Sequence, residues 1–354
     1  MTSETITKPE EIKTSTNITS EAPKQNFSQL LKGILFCFIL SVVSMWISGF
    51  DFCIKYNLNS LTIAILIGIV IGNFFPILVR PSYKEGVVFS TKRILRLAII
   101  LYGFRITFIQ IANVGMSGLF ADVIMLTSTY LIGYYLGTRL FGLDKDLCVL
   151  TAIGSSICGA AAVLGTDSVL KAPKHKVSLA VATVVLFGTI AMFLYPFIYK
   201  LGFLSDNAFG IYIGSTIHEV AQVVAAGAAV NQTTMDTAVI VKLTRVMMLI
   251  PFLLLLGAHL AKKSGGKLSK IQIPWFAIMF VVVCGFNSLN LLPQIAVAKI
   301  VEFDILLLTM AMFALGIETN FEKIKELGLK PILLALIMFI WLVGFGFLVS
   351  KFII

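Results

Sequence analysis

The chain has 354 residues, of which 58% are hydrophobic and 13% are charged. This apolar share exceeds that of soluble globular domains, so it predicts a polytopic membrane protein with no room for a separate soluble domain. The net charge of +10 is not clustered on a soluble module, which argues against nucleic acid as a partner. The lipid bilayer is therefore the first partner that we expect.

The N-terminal segment differs from the rest of the chain. Residues 1–28 are rich in Thr, Ser, Glu and Lys and have no apolar periodicity. We predict a disordered cytoplasmic tail there, because the segment is too polar to bury a core or to act as a signal peptide. Residues 29–354 are predicted to form one transmembrane transporter domain.

The remainder reads as an all-α protein with about nine membrane spans. A helix needs about 20 apolar residues to cross the hydrocarbon core. Segments of that kind lie at 31–50, 61–79, 96–114, 118–139, 176–199, 236–260, 273–292, 300–318 and 331–350. Two shorter segments, 144–171 and 206–230, remain between them.

These two segments contain a repeated decapeptide. Residues 154–163 read GSSICGAAAV, and residues 214–223 read GSTIHEVAQV, so that Gly, Ser, Ile, Ala and Val recur at the same offsets. Small and hydroxyl residues inside apolar segments indicate non-helical backbone, which survives at membrane depth only against protein or water. Two such breaks facing each other are typical of a transporter's substrate site. The alternative is that both decapeptides are small-residue faces for helix packing.

We predict an anion-binding site at the two breaks. The residues of the decapeptides assigned to substrate binding are Gly154, Ser155, Ser156, Gly159, Gly214, Ser215 and Thr216. Hydroxyl groups and the N-termini of the half-helices would supply hydrogen-bond donors. Three cationic residues within apolar segments, Arg105, Lys242 and Arg245, would add positive charge. Lys242 and Arg245 are three positions apart and so share one helix face.

Internal pairing is the alternative for these cations, because an intramembrane charge usually needs a partner in either case. Arg105, near the middle of its predicted span, would pair with Asp122 or Glu219. Arg245 would pair with Asp304. A further alternative is that Lys242 and Arg245 extend their charged ends to the outer membrane surface.

The second decapeptide also contains a candidate for ion coupling. His218 and Glu219 lie at its centre, and Gln222 follows one turn later. Histidine titrates near neutral pH, and burial can shift a glutamate toward the same range. We predict that these three residues couple transport to an ion. The alternative for His218 is a hydrogen-bonded residue at the break without such a role.

The distribution of Lys and Arg predicts the topology, with a cytoplasmic N-terminus. If segment 144–171 enters the membrane and returns, Lys171, Lys174 and Lys176 lie inside, as the positive-inside rule requires. If it crosses fully, all three lie outside. The rule therefore favours two re-entrant hairpins that enter from opposite sides, and it leaves fully crossing broken helices as the alternative.

Two further repeats suggest that the architecture is inverted. Residues 102–111 resemble residues 315–324, and residues 194–197 resemble residues 249–252. In the predicted topology the members of each pair run in opposite directions. Such inverted repeats are characteristic of secondary transporters.

No catalytic arrangement, metal-ligand spacing or nucleotide-binding loop is present in the sequence, so we expect neither an enzyme nor a cofactor. The five cysteines are scattered, which predicts no disulfide framework. A homodimer is compatible with the sequence, which does not decide the oligomeric state.

Four stretches carry a resemblance to a known family. They are LYGFRIT at 101–107, the decapeptide at 154–163, its repeat at 214–223, and KLTR at 242–245. The chain resembles the YeiH-type sulfate exporter family of bacterial inner-membrane proteins over nearly its whole length after the tail. The resemblance implies a plasma-membrane location. It also implies a distant link to cation–proton antiporter and bile-acid symporter folds, which use inverted repeats and a moving core.

Together these observations predict a secondary transporter, and an exporter by its resemblance, for a small anion such as sulfate, a sulfonate or a carboxylate. Alternating access would be coupled to H⁺ or Na⁺. A passive anion channel and a membrane scaffold or sensor are the alternatives. The sequence leaves substrate, direction and coupling ion open.

Overall fold

A computed structural model describes residues 27–55, 58–75, 81–264, 274–319 and 328–352. Within these ranges every regular element is helical. Most of the predicted tail, residues 1–26, lies outside the described residues. The first described helix includes Phe27 and Ser28, the last two residues of the predicted tail.

The first part of the chain forms three long helical segments. Its α-helices are α1 Phe27–Ser48, α2 Asp51–Lys55, α3 Ser60–Phe74, α4 Lys84–Phe89 and α5 Leu95–Tyr102. A 3₁₀ turn at Pro81–Tyr83, a π turn at Ser90–Ile94 and a second 3₁₀ turn at Gly103–Arg105 join α4 and α5 into one helical run. The whole run covers 81–105.

The predicted span at 96–114 is therefore wrong. Basic residues between the predicted spans 61–79 and 96–114 lie inside the helical run, and the chain leaves the helix at Ile106 and Thr107, whose backbones are extended. Thr107 and Gln110 then form a capping box that starts the next helix. A capping box satisfies free N–H groups at a helix start, and it can be recognised in the sequence. The predicted spans 96–114 and 118–139 are not separated by a loop, because helix runs through residues 115–117 with only a kink at Gly115.

The second part of the chain contains the decapeptides. Its helices are α6 Phe108–Tyr135, α7 Lys145–Ser156, α8 Ala160–Leu170, α9 Lys174–Tyr199, α10 Asp206–Thr216, α11 Val220–Ala228, α12 Gln232–Met247, α13 Leu249–Ser264, α14 Trp275–Ser288, α15 Gln294–Glu318 and α16 Leu329–Phe352. A π turn extends α6 to Leu140. Six of the described helical segments are long and apolar enough to cross a membrane, and several shorter apolar helices accompany them. The number of spans is thus not decided by length alone.

The helices pack mainly within two groups. The scaffold group consists of α1, α3, the run 81–105, α14 and α15, and the hairpin group consists of α6 to α13 together with α16. Within the scaffold group, α3 and α15 approach closely at Gly68 and Gly316. A Cβ atom on Gly68 would lie 2.9 Å from the Cα of Gly316, so both positions need glycine. Far fewer contacts join the two groups than hold each one together.

Helices α7 and α8 form a hairpin and not a broken crossing. The Lys176 ammonium, at the start of α9, donates to Asp144 Oδ1 at 2.6 Å, at the start of α7. Only three residues separate the end of α8 from α9, so α8 must return to the side from which α7 entered. Leu147 of α7 and Leu170 of α8 accordingly share a hydrophobic cluster. The hydrogen bond from Lys176 also holds the pKa of the Asp144 carboxyl below its usual range.

Helices α10 and α11 form a second hairpin at the other end of α9. The Tyr199 hydroxyl, at the end of α9, donates to Asp206 Oδ1 at 2.7 Å, and Asn231 Nδ2 donates to Tyr199 Oη at 3.4 Å. The start of α10 and the residues after α11 therefore meet beside Tyr199. Since α9 has 26 residues and is about 39 Å long at about 1.5 Å per residue, the two hairpins enter from opposite ends of the hairpin group.

Candidate functional site

The two decapeptides interrupt the helices where the hairpins turn. Helix α7 ends at Ser156, and α8 begins after Gly159, whose φ of +69° and ψ of −135° suit glycine. Helix α10 ends at Thr216, and the backbone of Ile217 is extended before α11 starts. We call these two breaks, with the buried cations beside them, the crossing. The expected helix breaks are present and meet, but only residues 157–159 and 217–219 are non-helical; residues 154–156 and 214–216 are the last residues of α7 and α10.

Lys242 joins the two breaks. Its ammonium donates to the carbonyl of Ile157 at 2.7 Å and to the carbonyl of Ile217 at 2.5 Å. The side chain is fully buried, so it does not extend to a membrane surface. One cation from α12 therefore satisfies a free carbonyl at the end of each half-helix, where the helix dipole is negative.

Arg245 repeats this arrangement one turn further along α12. Its Nε donates to the carbonyl of Ser156 at 2.6 Å, and its Nη1 donates to the carbonyl of Ser215. Its Nη2 is buried and has no hydrogen-bond partner. The expected pairing of Arg245 with Asp304 is wrong, because this guanidinium donates to backbone carbonyls and Asp304 lies beside Arg105.

Glu219 also connects the two hairpins, but with a negative charge at a helix N-terminus, whereas Lys242 and Arg245 place positive charges at helix C-termini. Its Oε1 accepts from the backbone N–H of Ala160, the first residue of α8, at 2.5 Å. A carboxylate at a helix N-terminus is favoured by the helix dipole. The N-terminus that the sequence suggested for a substrate anion is therefore occupied by a carboxylate of the other hairpin.

The two neighbours of Glu219 in the predicted coupling set have different surroundings. Gln222 accepts from the Glu219 N–H at 3.1 Å and donates to Thr189 Oγ1 at 3.3 Å, which ties α11 to α9. His218 is 2% exposed, and its Nδ1 makes no hydrogen bond. The alternative of a hydrogen-bonded His218 is thus not supported at this nitrogen.

The hydroxyl groups of Ser156, Ser215 and Thr216 form their hydrogen bonds with groups other than the two cations. Ser156 and Ser215 donate to carbonyls in their own helices, at 3.3 and 3.4 Å. Thr216 donates to the Tyr212 carbonyl at 2.5 Å and accepts from Tyr195 at 2.8 Å. Ser155 is buried at 3% exposure. Backbone carbonyls rather than hydroxyls therefore meet the cations.

The glycines that open each decapeptide permit close packing. A Cβ on Gly214 would lie 2.6 Å from the Ala238 carbonyl of α12, and one on Gly154 would lie 2.7 Å from the Val163 side chain of α8. These residues hold the half-helices against their neighbours. The packing interpretation of the decapeptides is thus correct alongside the interpretation as helix breaks.

Arg105 lies apart from the crossing. It is at the end of the run 81–105 and not in the middle of a span, and its Nη2 lies 3.1 Å from Asp304 Oδ2. Its guanidinium stacks over the Tyr102 ring at 4.9 Å. The expected partners Asp122 and Glu219 are wrong for Arg105. The hydroxyl of Tyr102 in turn donates to Asp236 Oδ1 of α12 at 2.6 Å.

Asp122 was not assigned to the site from sequence. It is fully buried on α6, neither carboxylate oxygen makes a hydrogen bond, and it lies within electrostatic range of Arg245 and Lys242. Its position among apolar residues of a span was the available signal. The part of the chain that the structure describes has no group of three or more His, Cys, Asp or Glu residues that could hold a metal ion.

These features define a polytopic membrane protein in which two helix hairpins, entering from opposite ends of the bundle, meet at a pair of buried cations. A family model described as conserved hypothetical protein 698 matches residues 32–335. The chain belongs to this family.

The relatives are membrane proteins by name. The UPF0324 inner membrane protein YeiH of Escherichia coli K12 is 50% identical over 336 residues, which cover 94% of this chain and 96% of the relative. A UPF0324 membrane protein of Photorhabdus laumondii is 48% identical and covers 91% of this chain and 93% of its own. A third, from Yersinia pestis, is 46% identical, covering 94% and 96%. The resemblance noted from the motifs is thus confirmed, and the names state no substrate.

Proposed function

We propose that the protein is a secondary active transporter of a small anion, such as sulfate, a sulfonate or a carboxylate, that works by alternating access and is coupled to H⁺ or Na⁺. The observation that carries the proposal is the meeting of two hairpin tips, from opposite ends of the bundle, at Lys242 and Arg245. Discontinuous helices that meet inside a bundle are the usual setting of a transporter's substrate site.

The division into a scaffold group and a hairpin group supports movement. Alternating access needs one part of the protein to shift or rock against another around the site. The hairpins, with α6, α9, α12 and α16, are tightly packed together, whereas few contacts join them to the scaffold group. The hairpin group is the part we expect to move.

The inverted repeat remains part of this proposal. The two hairpins enter from opposite ends of α9, as inversion requires. Residues 102–105 and 315–318 both end a helical run, whereas residues 320–324 of that predicted repeat lie outside the described residues. Residues 194–197 contain a proline within α9, the helix after the first hairpin. Residues 249–252 contain a proline within α13, which follows α12, the helix after the second hairpin.

The hydrogen-bond donors that have no protein partner at the crossing indicate where the substrate would bind. The Nη2 of Arg245 is a buried donor without a partner, and we assign it to an oxygen of the anion. The backbone of the decapeptides at Gly154, Gly159 and Gly214 would border the anion, while Lys242 fixes the tips. Arg105 is not assigned to the crossing in this proposal, because its guanidinium lies beside Asp304 and over the Tyr102 ring. His218 and Glu219 remain candidates for coupling.

The proposal places the protein in the cytoplasmic membrane, as the names of the relatives indicate for them. The N-terminus would be cytoplasmic, which agrees with Lys171, Lys174 and Lys176 at the mouth of the first hairpin. A homodimer is compatible with this arrangement.

Counterflow in proteoliposomes tests the proposal. Vesicles that contain the full chain and unlabelled sulfate, methanesulfonate or acetate are diluted into the labelled form of the same anion. A carrier accumulates label transiently, whereas a channel or a scaffold does not. Arg245→Gln should reduce exchange by about tenfold or more, since a hydrogen bond to a charged group contributes about 1.5 to 3 kcal/mol.

Arg139→Gln is the matched control, because Arg139 is exposed at the end of the α6 segment, and it should exchange at the wild-type rate. If wild-type vesicles show no counterflow with any of the three anions, the proposed function is wrong.

A further inference from the structure

Asp122 lies on the part of α6 that packs against α10 and α12. Its neighbours Ala121 and Met125 share a hydrophobic cluster with Val241 of α12 and Ile211 of α10. The Asp122 side chain is fully buried, and neither oxygen has a hydrogen-bond partner. A buried carboxylate without a partner is costly unless it serves a function or carries a proton.

The charges that face Asp122 come from one helix. Of the elements packed against α6, helix α12 contributes Lys242 and Arg245, which are within electrostatic range. The other packed elements place their ionisable side chains elsewhere. Cys148 of α7 lies against Gly137, and Tyr212 of α10 donates to the Val343 carbonyl. The remaining ionisable residues of these elements lie near helix ends: Cys284, Lys145, Asp146, Asp206, Lys330 and Lys351.

With His218 counted as neutral, the side chains at and beside the crossing carry as many acidic as basic groups: Glu219 and Asp122 against Lys242 and Arg245. Lys242 and Arg245 are held by the carbonyl ends of α7 and α10, and Glu219 is held by the N-terminus of α8. Asp122 alone of these four has no hydrogen bond, and Arg245 retains one unpartnered N–H group. With both carboxylates ionised, the four charges sum to zero, and an added anion would make the crossing negative.

We propose that Asp122 is the proton carrier of this site, and that a small oxyanion binds at Arg245 Nη2 when Asp122 takes up a proton. This inference rests on the proposed function. The proton removes one negative charge, the anion restores it, and the crossing stays neutral in both states. Proton and anion therefore bind together and cross together.

The charge balance specifies the substrate class. One proton accompanies one negative charge, so a monovalent carboxylate or sulfonate crosses with one proton, without net charge movement. Sulfate, with two negative charges, would leave the crossing with one uncompensated charge. Acetate and methanesulfonate are therefore expected to bind more tightly than sulfate. If Asp122 were always ionised and only balanced the charges of Lys242 and Arg245, anion binding would not be accompanied by proton uptake.

Proton uptake by the wild-type protein is the first test. Purified full-length protein in weakly buffered detergent, with a pH indicator, is mixed with acetate or methanesulfonate over the neutral to alkaline range. About one proton should be taken up for each anion bound. Anion binding without proton uptake anywhere in that range overturns the inference.

Asp122→Asn is the second test, with exposed Asp51→Asn in α2 as the matched control. Exchange by the wild type and by Asp51→Asn should slow as pH rises, because the proton on Asp122 is lost. Exchange by Asp122→Asn should continue and become independent of pH, since an amide resembles the protonated acid. An unchanged pH profile in Asp122→Asn contradicts the proposal.

The two proposals fail in different ways. If the wild type exchanges no anion at all, the proposed function fails. If it exchanges anions without proton uptake, only the role of Asp122 fails. Should Asp122→Asn not fold, the proton uptake of the wild type decides the question alone.

Discussion

Lys242 shows how one residue can hold a membrane site together. Its ammonium bonds to carbonyls from two hairpins that are 60 residues apart in the sequence. Breaking a helix inside an apolar environment leaves carbonyl groups unpaired, and each such group costs free energy. A buried cation without a partner costs more still. Each therefore supplies the partner that the other lacks.

Replacing Lys242 by Met should destabilise the protein whether or not it transports anything. The change leaves two buried carbonyls without a donor, at about 1 to 3 kcal/mol for each buried group left unpaired. We expect a clearly lower unfolding temperature in detergent. Lys200→Met, at an exposed position after α9, removes the same charge and should have little effect. Equal unfolding temperatures for the two variants would show that the carbonyl contacts contribute nothing.

At the scale of elements, the hairpins depend on what ends and starts each half-helix. Helix α7 stops at Ser156, and the chain reverses through Gly159 with a positive φ before α8 starts. The Glu219 carboxylate occupies the space where a side chain of residue 159 would lie. The first turn and the second hairpin therefore require each other.

Gly159→Ala should disrupt this junction. A Cβ at residue 159 would overlap the Glu219 carboxylate, and the backbone there disfavours residues other than glycine. Gly142→Ala is the matched control, because Gly142 also has a positive φ, of 59°, but has nothing within 4 Å of its Cβ position. The unfolding temperature should fall further for Gly159→Ala than for Gly142→Ala. Equal losses would mean that backbone strain alone accounts for the effect.

At the scale of the whole molecule, the polar link between Tyr102 and Asp236 joins the scaffold group to the hairpin group. Tyr102 is almost fully buried, and Gln232 donates to the same carboxylate oxygen at 2.7 Å. The link lies toward the end where the second hairpin enters, since Asp236 is in the first turns of α12. Separation of the two groups at that end would have to break it.

Tyr102→Phe should therefore increase the population in which the groups have separated at that end. Spin labels at exposed Lys299 in α15 and exposed Thr233 in α12, in a background without native cysteines, report the distance between the groups by pulsed electron resonance. We expect a longer component in the distance distribution. Ser60→Ala removes a hydrogen bond within the scaffold group, between Ser60 and Thr309, and should leave the distribution unchanged. A distribution identical to that of the wild type in Tyr102→Phe would contradict the role of this link.

Several features of the fold were predictable because the signal is local. The paired decapeptides marked both helix breaks, and the lysines after residue 170 favoured a returning hairpin over a crossing helix. The end of the helical run at Arg105 was missed, although the Thr107 and Gln110 capping box was present in the sequence. The apolar run continues across that point, so hydropathy alone does not show the break.

The partners of the charged residues were not predictable. Arg105 meets Asp304, which is 199 positions away, and Lys242 and Arg245 meet backbone carbonyls. Every residue has a carbonyl, so nothing in the sequence marks which ones are left free at a break and then reached by a cation. The same limit applies to Asp122, whose lack of a partner appears only when its neighbours are known.

The sequence by itself determined the membrane class, the all-helical architecture and the two places where the helices break, because hydropathy and small-residue patterns act within one segment. Only the tertiary structure decided that the carbonyl ends of the two hairpins share two cations, that the Glu219 carboxylate lies at the start of α8, and that Arg105 lies elsewhere. Those facts depend on which segments pack together, and packing joins groups that are distant in the chain and carry no common local signal.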